Sequence, residues 1–146
     1  LPTLIGFWHC DDLRLGKELG LYQDEAQLKQ LYAERHANKQ RILDSLHGHR
    51  IGGDSVLPHD YPRSSEHLGM DKTLNYALQR HLAATPSQLL CLQLEDALEM
   101  TQPVNVPGTS SEYPNWRRKL SQSLEQWSQR EDIRQLFSDI SRIRKD

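Results

Sequence analysis

The sequence predicts a mainly α-helical chain with one or two short strands, and three observations support this fold class. Apolar residues recur at helical spacing in several segments, whereas a single run of strand length, residues 88–94, lacks strict alternation. Only 36% of the 146 residues are hydrophobic, and the mean hydropathy is −0.74. Because a single buried strand has no ladder partners of its own, we expect the chain to be part of a larger sheet protein.

Composition and charge exclude several classes of partner. The formal net charge of −2 gives no general attraction to nucleic acid or to an anionic membrane, so neither is expected as a partner. No apolar run approaches the roughly 20 residues of a membrane helix, and no signal peptide is recognisable at the start. Leu1 in place of Met favours a piece cut from a longer protein. Cys10 and Cys91 lack partner motifs, so we expect a cytoplasmic protein.

The first third of the chain is predicted to be dominated by one long helix. Residues 1–22 are predicted to form a short helix or turn, followed by a loop through Gly16 and Gly20. The long helix should span residues 24–46, beginning with an Asp as N-cap. Its middle, residues 35–41, is polar on every side, so only its two ends are expected to need burial. Its apolar face consists of Leu28, Leu31, Tyr32, Ile42, Leu43 and Leu46.

The centre of the chain contains a long loop, a helix and the single strand. Residues 48–70 are rich in Gly, Pro, Ser and His, which predicts a surface loop of unusual length. Such a loop is either a lid that faces a substrate or a mobile connector, and both interpretations stay open. Asp71 is predicted to cap a helix that runs to about Ala84. Residues 88–94 are then predicted to form a strand that is covered on both faces.

The last third is predicted to contain a turn and then helices over residues 115–145. The turn, residues 104–109, reads Val-Asn-Val-Pro-Gly-Thr. Asn115 is expected to be the N-cap of the first helix, with Trp116 on its buried face. Ser128 and Glu131 have the spacing of a capping box, which would open the final helix. The inward residues of that helix would be Ile133, Leu136, Phe137, Ile140 and Ile143.

Two segments resemble parts of the amylomaltases, the 4-alpha-glucanotransferases of bacterial maltodextrin metabolism. Residues 1–8 (Leu-Pro-Thr-Leu-Ile-Gly-Phe-Trp) resemble the segment that follows the family's His-Asp catalytic motif. Residues 104–109, with Glu-Tyr-Pro-Asn-Trp-Arg-Arg at 112–118, resemble its late active-site loop. The resemblance covers essentially the whole chain and is weak only at residues 48–70. It implies that residues 1–146 are the C-terminal portion of a (β/α)8 barrel, its last strand with the flanking helices.

The resemblance also implies an activity and its partners. The parent enzyme would transfer alpha-1,4-glucan segments between maltodextrins by a retaining double displacement, without a metal or an organic cofactor. Its three catalytic carboxyl groups would precede Leu1, so this piece is expected to contain no catalytic residue and to be inactive alone. Its partners would be a maltodextrin or other alpha-glucan substrate and the remainder of the barrel.

The candidate substrate-binding residues are Asn105, Pro107 and Gly108, within a loop over residues 101–114. The Asn105 amide can donate and accept hydrogen bonds with sugar hydroxyls. Pro107 restricts the loop, and Gly108 allows the backbone to approach a ligand closely. The resemblance implies that this loop lines a sugar-binding cleft; the alternative is that it is only a tight turn. Trp116 could stack on a sugar, although a core position is expected.

Other interpretations of the sequence are weaker. The histidines at 47, 49, 59 and 67 have no zinc-ligand spacing, so no metal is expected. The alternative function is a free-standing helical interaction module without sugar chemistry, supported by the low apolar content and the helical pattern. Expressed alone, the chain is expected to self-associate, since the strand at 88–94 would lack its sheet neighbours.

Overall fold

The computed structural model describes residues 1–145, which form a mainly helical structure with one two-stranded antiparallel sheet. This confirms the predicted class of a mainly helical chain with short strands. The elements are α1 (Leu4–Trp8), α2 (Asp11–Glu18), α3 (Glu25–Gly48), β1 (Arg50–Ile51), β2 (Asp54–Ser55), α4 (Lys72–Ala83), α5 (Leu94–Ala97), α6 (Leu124–Ser128) and α7 (Glu131–Ile143).

Helix α3 is the predicted long helix, but its polar middle is not solvated on every side. It begins where expected, because the Asp24 carboxylate accepts a hydrogen bond from the Gln27 amide at 2.7 Å. Arg35 and Lys39, in its middle, are both buried, which corrects the expectation that only the helix ends need burial. The reason is tertiary: α1 and α2 pack on this face, and Arg35 donates to both carboxylate oxygens of Asp12 at 2.7 Å.

Helix α2 occupies residues for which the sequence predicted a loop. Gly16 lies inside this helix and is buried against Tyr22, so that a Cβ at Gly16 would lie 2.6 Å from Cζ of Tyr22. The glycine therefore marks a close approach of the following chain rather than a break in the helix.

Two clusters of buried side chains form most of the core. In the first, Trp8 of α1 packs with residues of α3 and α4, and the fully buried members of this cluster include Leu43, Leu46 and Leu74. The second joins α4 to α7 and consists of Tyr76, Ala83, Ala97, Leu136 and Ile140. The predicted inward face of the final helix is confirmed, since Ile133, Leu136 and Ile140 are buried while Phe137 and Ile143 pack beside them.

Residues 48–70 pack on the core and contain the only sheet of the described residues. Strands β1 and β2 form a hairpin whose turn residues, Gly52 and Gly53, have φ of 59° and 93°, values that favour glycine. Farther along, the Gln40 side chain donates to the carbonyl of Arg63 at 2.8 Å and accepts from the Ser65 amide at 2.9 Å. The segment is thus hydrogen-bonded to α3 at residues 62–65.

The predicted strand at residues 88–94 does not form. Residues 88–93 have no regular structure, Leu94 begins α5, and the Leu89 side chain is 90% exposed. Within residues 1–145 no strand lies beside this run, so its backbone groups have no ladder to complete. Leu90, Leu92 and Leu94 instead pack against the cluster between α4 and α7.

The helices after residue 114 begin later than predicted. Residues 115–123 are not helical, and α6 starts after Ser123, whose side chain forms a capping box with Gln126. The predicted box at Ser128 is therefore wrong, and α7 follows Arg130 as its N-cap without a side-chain cap. The Asp132 carboxylate supports the start of α7 by binding Arg130 at 2.6 Å and Lys72 at 2.5 Å.

We expect Leu136→Ala to lower the free energy of unfolding by roughly 2–5 kcal/mol, because it leaves a cavity in the cluster between α4 and α7. Leu89→Ala is the matched control and should change stability by no more than about 0.5 kcal/mol, since that side chain is exposed. Urea unfolding followed by circular dichroism measures both. A loss at Leu89 as large as that at Leu136 would show that residues 88–94 are buried after all.

Candidate functional site

The beginning of the chain and residues 95–105 meet in space, although about 90 positions separate them. The Thr3 hydroxyl donates to the carbonyl of Thr101 at 3.2 Å. The Thr3 hydroxyl oxygen also accepts a hydrogen bond from the Gly6 amide at 3.0 Å and so caps α1. A Cβ at Gly6 would lie 2.7 Å from the Thr101 carbonyl oxygen, so only glycine allows this approach. The two segments that resemble the amylomaltases are therefore neighbours.

Asp96 is the buried polar group at this junction. Its carboxylate accepts a hydrogen bond from the Leu4 amide, at the first turn of α1, at 2.6 Å. Its carbonyl accepts from the Asn75 side chain of α4 at 2.9 Å. Burial raises the pKa of the Asp96 carboxyl group, and the Leu4 amide opposes this by favouring the carboxylate. Asp96 therefore connects α1, α4 and α5 rather than facing a ligand.

The loop at residues 101–114 presents its three candidate residues in different ways. Asn105 is half-buried, and its side-chain oxygen lies 3.5 Å from the amino group of Leu1. Pro107 and Gly108 are exposed at the tip. Gly108 has φ of 86°, a conformation that favours glycine at that position. The loop is therefore a tight turn, and it also exposes backbone to an approaching molecule beside the start of the chain.

Asn115 holds this turn in shape, in place of the predicted helix cap. Its side-chain oxygen accepts the Val106 amide at 2.8 Å, and its amide group donates to the Thr109 hydroxyl at 2.9 Å. The buried Tyr113 hydroxyl donates to the carbonyl of Pro103 at 2.5 Å. Neither role was predicted from the sequence; the available signal was a Tyr and an Asn five and seven positions after the Pro-Gly turn.

Trp116 is an exposed residue, which corrects the expectation of a core position. Its side chain is 75% exposed and its φ is 60°, a left-handed conformation that is rare for a bulky residue. The Trp116 amide donates to the carbonyl of Val104 at 2.9 Å, which ties this conformation to the turn. Because Asn115 binds the turn instead of capping a helix, Trp116 is not carried onto a buried helical face.

The polar groups of this region suit binding rather than a proton-transfer reaction. Asn105 and the exposed loop backbone provide donors and acceptors, whereas Asp96 is occupied by the amide of Leu4.

Among residues 1–145, no three His, Cys, Asp or Glu side chains converge as a metal-ligand set. Two of the histidines that were considered as metal ligands have protein partners: His47 binds the carbonyl of Pro62 at 2.9 Å, and His49 contacts His81 at 2.9 Å. No helix of the described residues 1–145 is long and apolar enough to cross a membrane.

Comparison with known proteins gives consistent matches. The profile of a family described as 4-alpha-glucanotransferase, glycoside hydrolase family 77, matches residues 1–125. A 4-alpha-glucanotransferase of Haemophilus influenzae is 38% identical over 144 residues, which are 99% of this chain and 20% of that protein. Those of Mycobacterium bovis and Mycobacterium tuberculosis are each 35% identical over 123 residues, 83% of this chain and 15% of theirs. The chain thus spans a fifth or less of the length of the curated relatives it matches.

We expect Asn115→Ala to loosen the turn. The change removes the side-chain oxygen that accepts from the Val106 amide and the amide group that donates to the carbonyl and hydroxyl of Thr109. Amide hydrogen exchange at Val106 should become at least about tenfold faster, the equivalent of roughly 1.4 kcal/mol. Asn38→Ala, on the exposed face of α3, is the control and should leave that amide unchanged. Equal exchange at Val106 in all three proteins would show that Asn115 does not brace the loop.

Proposed function

The chain belongs to the 4-alpha-glucanotransferase family, glycoside hydrolase family 77, and we propose that it is part of an enzyme that transfers alpha-1,4-glucan segments between maltodextrins. The reaction would be a retaining double displacement, in which a carboxylate forms a covalent glucosyl intermediate and an acceptor sugar resolves it. The nucleophile and the acid/base would be supplied by residues other than 1–146, so the piece alone would be inactive. The family match does not favour a free-standing helical interaction module.

The start of the chain and the turn at Asn105 are adjacent, because the Leu1 amino group lies 3.5 Å from the Asn105 side-chain oxygen, and this observation carries the proposal. In a retaining enzyme, the groups that hold the sugar must be fixed relative to the catalytic carboxyl groups. Thr3 and Asp96 fix α1 against residues 96–101, and Asn115 fixes the turn that carries Asn105. Asn105, Pro107 and Gly108 would then form one wall of the glucan-binding cleft. The Asn105 amide would hydrogen-bond neighbouring sugar hydroxyls, with no metal or organic cofactor.

The described residues would be the C-terminal portion of a (β/α)8 barrel. Support comes from large apolar side chains that nothing in residues 1–145 covers: Leu89, Trp116 and Leu124 are at least 63% exposed. Helix α6 has no buried residue. The remainder of the barrel is the partner that would cover this surface. The free thiols of Cys10 and Cys91 are consistent with a cytoplasmic enzyme.

In the full-length enzyme, Asn105→Ala should lower kcat/KM for maltotriose disproportionation by roughly 3- to 10-fold, the effect of one or two lost hydrogen bonds. Initial rates of glucose release measure this. Asn38→Ala, a surface change on α3, is the control and should keep full activity. Unchanged turnover in Asn105→Ala, with Asn38→Ala equally active, would remove Asn105 from the cleft.

Residues 1–146 expressed alone should self-associate, because the exposed Leu89, Trp116 and Leu124 side chains are removed from water when two copies meet. Light scattering coupled to size exclusion should show a mass above that of one chain, rising with protein concentration. Trp116→Ser should shift the mass towards the monomer. Monodisperse monomer at high concentration would contradict the proposal that a partner covers this surface.

A further inference from the structure

A polar cleft lies beyond the C-terminal end of α1, between α2, α3 and residues 66–69. Its volume is about 360 Å³, which is within the range of small-molecule sites. Its lining includes Trp8, His9, Arg14, His36, Lys39 and His67. The substrate loop lies at the other end of α1, where Asn105 approaches Leu1. The cleft is therefore centred at the opposite end of α1 from Asn105, although Arg14 also lines a pocket together with residues 101–103 of the loop.

Lys39 is the unusual residue of this cleft, because most of its side chain is buried while its ammonium group, which borders the cleft, has no acceptor among residues 1–145. Lys39 is only 8% exposed as a whole residue. Its side chain makes no hydrogen bond or salt bridge within residues 1–145. Its nearest favourable contact is the Trp8 ring, whose centroid lies 5.0 Å from the ammonium nitrogen. Arg35, one turn earlier and equally buried, is paired with both oxygens of Asp12 and with the carbonyl of Phe7.

Partial loss of hydration at an unpaired ammonium costs free energy, which a bound anion would offset. Loss of hydration is the largest cause of the lowered pKa of Lys39, and nearby Arg35 lowers it further, while the Cys10 thiol acts in the opposite direction. A partly desolvated ammonium group such as that of Lys39 gains more free energy from an anionic partner than a fully solvated lysine does. The cleft beside it is open to solvent, so a dissolved ligand can reach the ammonium.

The other groups of the cleft are mostly donors. His9 accepts the Met70 amide through Nε2 at 3.2 Å, so its neutral ring carries the proton on Nδ1. Arg14 adds a guanidinium group, which is also paired with Asp11. The one acidic residue of the lining, Glu66, is exposed and lies 3.8 Å from Nε2 of His67. Several donors around one unpaired cation suit a small ligand with several anionic oxygens.

We propose that this cleft binds a phosphate group, either as the free ion or as the monoester of a small metabolite, with the Lys39 ammonium as its main ligand. Phosphate carries close to two negative charges near neutral pH and offers at least three strong acceptor oxygens. It therefore matches an ammonium with three donors and the neighbouring imidazole and guanidinium groups better than a single carboxylate would.

Isothermal titration at constant ionic strength tests the proposal with residues 1–146 and inorganic phosphate, glucose 6-phosphate and glucose as probes. One phosphate should bind per chain, and Lys39→Met should weaken binding at least tenfold. Lys29→Met, on an exposed face of the same helix, should bind as the parent chain does. Tighter binding of glucose 6-phosphate than of phosphate would identify a monoester site, and equal affinity a free-ion site. No binding by the parent chain, or equal binding by Lys39→Met, would overturn the proposal.

A second measurement needs no variant. The pKa of the Lys39 amine can be followed by carbon NMR of the lysine side chains, with chloride and then with phosphate at the same ionic strength. Bound phosphate favours the charged ammonium, so the pKa should rise towards its ordinary value. A pKa that is the same in both salts would contradict a phosphate at Lys39, whatever the variants show.

Discussion

The hydrogen bond from the Leu4 amide to the buried Asp96 carboxylate is the contact on which the candidate site depends. An amide in the first turn of a helix has no partner within that helix, and Asp96 supplies one from 92 positions away. Asn75 binds the carbonyl of the same residue, so α4 is included in the junction. Thr3 and Gly6 then bring α1 against Thr101, from which the loop at residues 101–114 departs. The position of Asn105 relative to the start of the chain follows from these contacts.

The two buried cations of α3 differ in how their charge is balanced. Arg35 lies under α2, is neutralised by both oxygens of Asp12 and stacks on the Phe7 ring at 3.9 Å, which makes it a structural residue. Lys39 also has a largely buried side chain, but its ammonium nitrogen lies 5.0 Å from the Trp8 ring centroid and borders an open cleft without a carboxylate partner. A buried pair with good geometry compensates much of the cost of desolvation, whereas an unpaired, partly desolvated charge has no such compensation. This difference separates the ligand-binding hypothesis at Lys39 from the packing role of Arg35.

The exposed apolar side chains and the family relationship support the same conclusion about the partner. The side chains of Leu89, Trp116 and Leu124 are at least 63% exposed, and a partner would remove them from water. Trp116 comes directly after Asn115, which braces the loop at residues 101–114. A partner that covers Trp116 would therefore also lie near Asn105. The relatives are several times longer than this chain, and their additional residues would provide such a surface.

Local signals in the sequence were sufficient for elements that are stabilised locally. The Asp24 and Asp71 caps, the long helix α3 and the apolar face of α7 were all predictable, because capping and helical periodicity act within one or two turns. The Asn-Pro-Gly turn and the family resemblance were also readable from residue order alone. Only the tertiary structure decided that residues 88–94 do not form a strand, because a strand requires neighbours that the sequence does not reveal. It also decided that Asn115 binds the turn and exposes Trp116, and that a polar helix face carrying Arg35 and Lys39 is covered by α1 and α2. These outcomes depend on contacts between distant segments, and their energies cannot be assigned before the segments are placed together.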